Sequence, residues 1–97
     1  VTRAELRAAI DAVVARLVAR AAVEAWPTRA DHCFLRIAYD NAVGAKWDTV
    51  VRPPAWRNLP EEQLDAALRL LETMNDVGTL RRFNDVSLTL RRQARGT

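Results

Sequence analysis

Most of the residues that could do chemistry are crowded into one stretch, residues 31–48 (DHCFLRIAYDNAVGAKWD). It holds the chain's only His, Cys, Tyr and Lys, together with Trp47. A nucleophilic cysteine needs a base within hydrogen-bond reach. His32 and Cys33 are adjacent, so on a helix they point about 100° apart, and the chain has no second His. Cys33 is therefore expected to be a small buried residue. A metal centre needs three or four ligands at a suitable spacing, and one His and one Cys with scattered carboxylates do not supply it. No metal and no cofactor is expected. Acid–base chemistry would require Asp40 and Asp48 to approach each other, with His32 as a proton shuttle; the sequence permits this without demanding it. Gly44 and Gly78 are isolated, so there is no glycine-rich phosphate loop.

Recognition is the chemistry that remains. On a helix, Arg29, His32, Arg36 and Asp40 share one face with Tyr39 at its edge. Phe34, Leu35, Ala38 and Ala42 form the apolar face, so the polar set is expected to face away from the core. Asn41, Lys46, Trp47 and Asp48 follow within two turns, and Trp56 lies beyond in a Pro-Pro-Ala-Trp segment. Trp and Arg are enriched at interaction hot spots. The candidate binding set is His32, Arg36, Tyr39, Asp40, Asn41, Lys46, Trp47, Asp48 and Trp56. The expected function is a small non-enzymatic binding or adaptor module, its partner a protein or a second copy of the chain. The bland alternative is an ordinary Arg36–Asp40 surface pair with tryptophans that pin a loop.

Charge suggests another alternative. The chain carries fourteen Arg and one Lys, and the basic excess sits in residues 77–97, which hold five Arg and one Asp. Nucleic acid is the partner this would suit, through Arg81, Arg82, Arg91, Arg92 and Arg95. On a helix, Arg81, Arg92 and Arg95 lie broadly together, whereas Arg82 and Arg91 diverge. A third alternative, which rests on the resemblance given below, is an enzyme or enzyme component with a site around residues 32–48.

Helices must position these residues. Thr2-Arg3-Ala4-Glu5 is a capping box, and Leu6, Ile10, Val13, Leu17 and Ala21 behind it repeat at helical spacing. Pro27 stops this helix. Thr28-Arg29-Ala30-Asp31 repeats the start signal and predicts a second helix over residues 29–43, ended by Gly44. Residues 45–59 break the pattern, with Pro53-Pro54 excluding a helix through that point and residues 47–51 forming a short helical turn or an extended piece. Pro60 opens a third helix, with Leu64, Ala67, Leu68, Leu71 and Met74 as its stripe, and Asn75, Asp76 and Gly78 close it. The last segment satisfies both helical and strand spacing. Helix is preferred, because no other segment offers a partner strand. Asn84-Asp85 is expected to mark a break, with Asp85 capping a last helix, and residues 93–97 to fray.

The expected architecture is all-α: a single domain over residues 1–97, a small bundle of three to four helices with a Trp/Pro-rich loop between helices 2 and 3. One Cys excludes an internal disulfide and fits a reducing compartment. Neither a signal peptide nor a membrane span is apparent, so the expected location is cytoplasmic, with no membrane partner. The chain starts at Val1 and not at Met, which leaves room for a preceding N-terminal piece.

The block His32-Cys33-Phe34-Leu35-Arg36-Ile37-Ala38, then Asp40-Asn41-Ala42-Val43-Gly44, Trp47-Asp48 and Arg52-Pro53-Pro54, resembles a group of short bacterial proteins often labelled GCN5-like acetyltransferases. The resemblance covers roughly residues 31–71. The label implies an α/β fold with coenzyme A held on an Arg/Gln-x-x-Gly-x-Gly/Ala loop. This sequence has neither that loop nor a run of strands, so no acetyl-CoA residue carries over.

Overall fold

The computed structural model describes residues 1–96, and among them every regular element is helical. The order is α1 (Arg3–Glu24), α2 (Asp31–Val43), a 3₁₀ turn (Trp47–Thr49), α3 (Ala55–Asn58), α4 (Glu61–Glu72) and α5 (Val77–Gly96). There are five α-helices where three to four were expected. The extra one is α3, a single turn inside the Trp/Pro connection, which follows a cis peptide between Pro53 and Pro54. No helix among the described residues is long and apolar enough to cross a membrane.

The capping box of α1 forms as its sequence predicts. The Thr2 hydroxyl accepts the Glu5 N–H at 3.1 Å, and the Glu5 carboxylate accepts the Thr2 N–H at 3.1 Å. The helix stops at Ala25, which takes a left-handed conformation (φ 54°) normally left to glycine. That turn folds Trp26 back into the core, where it is 2% exposed. Arg29 donates to the Trp26 carbonyl at 2.8 Å and so braces the link to α2.

The second start signal is not used. Helix α2 begins at Asp31, two residues later than expected, with Ala30 at its N-cap and no side-chain cap. Thr28 is buried, and Asp31, already inside the first turn, accepts the His32 N–H. Gly44 ends α2 at φ 78°, donating its N–H to the Asp40 carbonyl at 2.8 Å.

Two expectations for the C-terminal half also change. Asp76 does not close α4; it caps α5 by accepting the Thr79 N–H at 2.8 Å, and Gly78 lies within the first turn of α5. No break occurs at Asn84-Asp85. The Asn84 side chain is taken up by Arg36 and Asp85 faces solvent, so neither competes for the helix backbone.

One core holds these elements together. Leu6, Ile10, Val13, Leu17 and Ala21 of α1 meet Leu64, Ala67 and Leu71 of α4 and Phe34, Ile37 and Ala38 of α2. Phe34, Ile37 and Leu64 are completely enclosed; sealing one such side chain from water contributes about 1.5–3 kcal/mol. Helix α2 is central and packs against α1, α4 and α5. Arg3 ties the start of α1 to the end of α3 by donating to the carbonyls of Trp56 (3.1 Å) and Leu59 (2.6 Å).

Candidate recognition cleft

Half of the polar face of α2 does not look outward: Arg29 and His32 are exposed, but Arg36 and Asp40 turn toward α5. That half packs on α5 through a ladder of polar side chains. Asp40 is fully buried. Its Oδ2 accepts the Ser87 hydroxyl at 2.6 Å and Arg91 Nε at 2.7 Å, and its Oδ1 accepts Arg91 Nη2 at 3.2 Å and the Trp47 backbone N–H at 3.0 Å. Arg36 donates to Ser87 Oγ at 2.7 Å and to Asn84 Oδ1 at 2.8 Å. Asn41 donates to the carbonyls of Ile37 and Phe83. The buried carboxylate is therefore neutralised by an arginine and hydrogen-bonded on both oxygens, as burial demands. The i,i+4 spacing of Arg36 and Asp40 makes no ion pair; each reaches across to α5 instead.

Through the Trp47 N–H, this ladder holds one wall of a cleft of about 330 Å³. The cleft is open to solvent on one side. Leu35, Tyr39, Trp47, Pro54, Ala55 and Trp56 make it largely apolar, and Arg7, Asp11, His32 and Arg36 add its charge. Tyr39 and Trp47 meet edge to face with centroids 5.9 Å apart. The Arg7 guanidinium lies 3.9 Å from the Trp56 ring centre, in a cation–π stack, and 3.9 Å from Asp11. Burial, then the Asp11 carboxylate, push the Tyr39 hydroxyl above its ordinary value, with Arg7 opposing.

Of the nine candidate binding residues, His32, Arg36, Tyr39, Trp47 and Trp56 converge on this cleft. Asp40 and Asn41 lie behind it in the ladder. Lys46 and Asp48 pair with each other at 3.4 Å beside the 3₁₀ turn. The acid–base arrangement does not form: Asp40 is committed to Arg91, Asp48 to Lys46, and His32 is mostly in solvent next to Asp31. Cys33 is half-buried, not enclosed. Among the described residues no group of three His, Cys, Asp or Glu side chains is placed to hold a metal ion. Of the five C-terminal arginines, Arg91 is spent on Asp40, while Arg81, Arg82, Arg92 and Arg95 are exposed.

Several members of these sites lay outside the rare-residue stretch. Arg7 and Asp11 come from α1, where i,i+4 charges read as an ordinary solvated face. Asn84 and Ser87 come from α5. Their only signal was polar residues at the positions where the helical stripe of Leu80 and Phe83 should continue. Comparison with family models, curated proteins and solved structures gives no match to this chain.

Proposed function

We propose that the chain is a small binding module whose recognition surface is the cleft between α1, α2 and the Trp/Pro connection, and that its partner is a protein. The observation that carries this reading is the convergence of Tyr39, Trp47 and Trp56 with Arg7, Asp11, His32 and Arg36 on one open concavity. Such a site combines apolar walls with a few charged groups that set orientation, which is the usual anatomy of a recognition pocket. Tryptophan and arginine are the residues whose removal most often abolishes binding. The cleft lies at the small end of the roughly 300–1,000 Å³ typical of ligand pockets, which suits one or two side chains of a partner better than a large cofactor.

The test is capture with two baits, the parent chain and Trp56→Ala, after circular dichroism has shown that both are folded. Trp56 is half-buried at the cleft edge, and its ring stacks with Arg7, so its loss should empty the site and leave the core intact. A partner retained by the parent and lost by the variant supports the reading. Equal retention by both, or a strictly monomeric parent that retains nothing, refutes it.

The nucleic-acid alternative loses Arg91 to Asp40. It keeps the exposed Arg81, Arg92 and Arg95 on one stripe of α5, with Asp85 among them. Binding there would weaken steeply with salt and would be unaffected by Trp56→Ala.

A further inference from the structure

We infer that the cleft selects an acidic peptide segment, one that presents an aromatic or aliphatic side chain next to a carboxylate. This rests on the reading of the cleft as a recognition site and names its occupant.

The charge around the cleft is unbalanced. Arg7 and Arg36 line it with a single carboxylate, Asp11. Arg36 is bonded to neutral partners, Ser87 and Asn84, so its charge is not cancelled at the site. Arg7 sits 3.9 Å from Asp11, beyond hydrogen-bond distance, and among the described residues its guanidinium donates no hydrogen bond. Lying on the Trp56 ring, that group is held by its face, and the donors along its edge remain to be used. A guanidinium stacked on an aromatic ring and short of acceptors is suited to a carboxylate taken by two parallel hydrogen bonds. An anion here would meet Arg7 while an adjoining apolar side chain entered among Leu35, Tyr39 and Trp47.

The shape favours a peptide over a free small anion. A second depression adjoins the first, sharing Asp11 and Leu35, and continues along the α1–α2 seam over Val14, Ala15 and Val18 to Asp31, so the acidic group belongs at the Arg7 end and apolar flanking residues along the seam. Side chains flanking an anchored residue would find apolar surface there, whereas a small anion would leave it empty.

The experiment uses the full chain and three peptides, acetyl-Phe-Asp-Ala-amide, acetyl-Phe-Asn-Ala-amide and acetyl-Phe-Lys-Ala-amide. Binding is followed by two-dimensional NMR through the indole N–H signals of Trp47 and Trp56. The Asp peptide should move both signals and bind about tenfold more tightly than the Asn peptide, the scale expected of a charge-assisted hydrogen bond. The Lys peptide should bind weakest. In Arg7→Gln the preference for Asp over Asn should largely vanish, with Phe-dependent binding retained. Arg7 is an exposed residue outside the core, so that variant keeps its fold. Equal affinity for all three peptides, or an Asp preference unchanged in Arg7→Gln, overturns the acidic specificity and leaves the cleft as a recognition site. No shift of either indole with any peptide overturns both.

Discussion

Replacing Arg91 by Met tests the ladder that shapes the cleft. The substitution keeps most of the side-chain volume and removes the guanidinium that balances Asp40. The carboxylate would remain fully enclosed, with the Ser87 hydroxyl and the Trp47 N–H as its hydrogen-bond partners. Leaving a buried ion without its counter-ion typically costs about 3–5 kcal/mol. Two features lower the figure here: the Arg91 side chain is 23% exposed, so water can reach the gap, and two hydrogen bonds survive. A loss of about 2–3 kcal/mol is expected. In a domain of this size it should lower the melting temperature by about 10–20 °C. Urea unfolding gives the free energy, with Arg92→Met as the control. Arg92 is an exposed neighbour bonded, among the described residues, to Thr89, and its loss should stay within about 0.5 kcal/mol. The double variant Asp40→Leu/Arg91→Met removes both charges together and should be less destabilised than the two single variants summed, by at least about 1.5 kcal/mol. Additive effects, or an Arg91→Met no weaker than Arg92→Met, would refute the claim that this pair is energetically coupled.

Other perturbations follow from single contacts. Tyr39 is the only tyrosine, so an absorbance titration reads it directly. Its midpoint should lie above the ordinary 10.0, move down in Asp11→Asn and move up in Arg7→Gln. Because its folded-state value is raised, Tyr39 stabilises the fold below pH about 10, and that contribution is lost as pH rises through the alkaline range. Asp76 is held below its usual range, chiefly by the Thr79 backbone N–H. Its contribution is present at neutral pH and lost on acidification, so Asp76→Ala should flatten the acid limb of the stability curve and speed amide exchange at the start of α5. Ala25→Gly should stabilise the fold by about 1 kcal/mol, since it relieves a left-handed alanine; a lower melting temperature would contradict the helix end described above. Phe34→Ala, at the centre of the core, should cost about 3–5 kcal/mol in urea unfolding.

Helix class, the capped start of α1 and the core stripes of α1, α2 and α4 were readable, because helical periodicity and capping are local and leave a direct pattern. What local pattern does not carry is tertiary. Thr28-x-x-Asp31 has the spacing of a cap, yet burying Thr28 and folding Trp26 inward moved the helix start. Val86, Leu88 and Leu90 alternate like a strand, yet the helix expected for this segment is what forms; what spacing does not show is that Ser87 and Arg91 face α2 while Val86 and Leu88 are exposed. In α2, Arg29 and His32 are exposed as a solvated face requires, whereas Arg36 and Asp40 look solvated unless another helix carries the complementary polar groups. Asn84, Ser87 and Arg91 are about fifty residues away, and no local pattern links them to Asp40. The cleft was half legible for the same reason. Its α2 and loop residues share a stretch, whereas Arg7 and Asp11 reach it only through packing.

The ladder also explains how α5 keeps one position. Only Leu80 and Ser87 of its twenty residues are buried; of its apolar residues Val77, Phe83, Leu90 and Ala94 are partly so. So small an apolar contact would tolerate sliding, since apolar packing is not directional. The polar contacts are not tolerant. Sliding α5 by one turn so that Phe83 and Ser87 take the places of Ser87 and Arg91 would leave the fully enclosed carboxylate without its guanidinium, at a cost of several kcal/mol. The net stability gained from these hydrogen bonds is modest, but the penalty for breaking their register is large. Asp40 spends one oxygen partly on the Trp47 N–H, so a fixed α5 register also fixes the wall of the cleft. A variant that repacks the α2–α5 contact with apolar residues could therefore match the parent in stability and still weaken peptide binding, because the Asp40 bond that ties the Trp47 N–H to α2 would be gone.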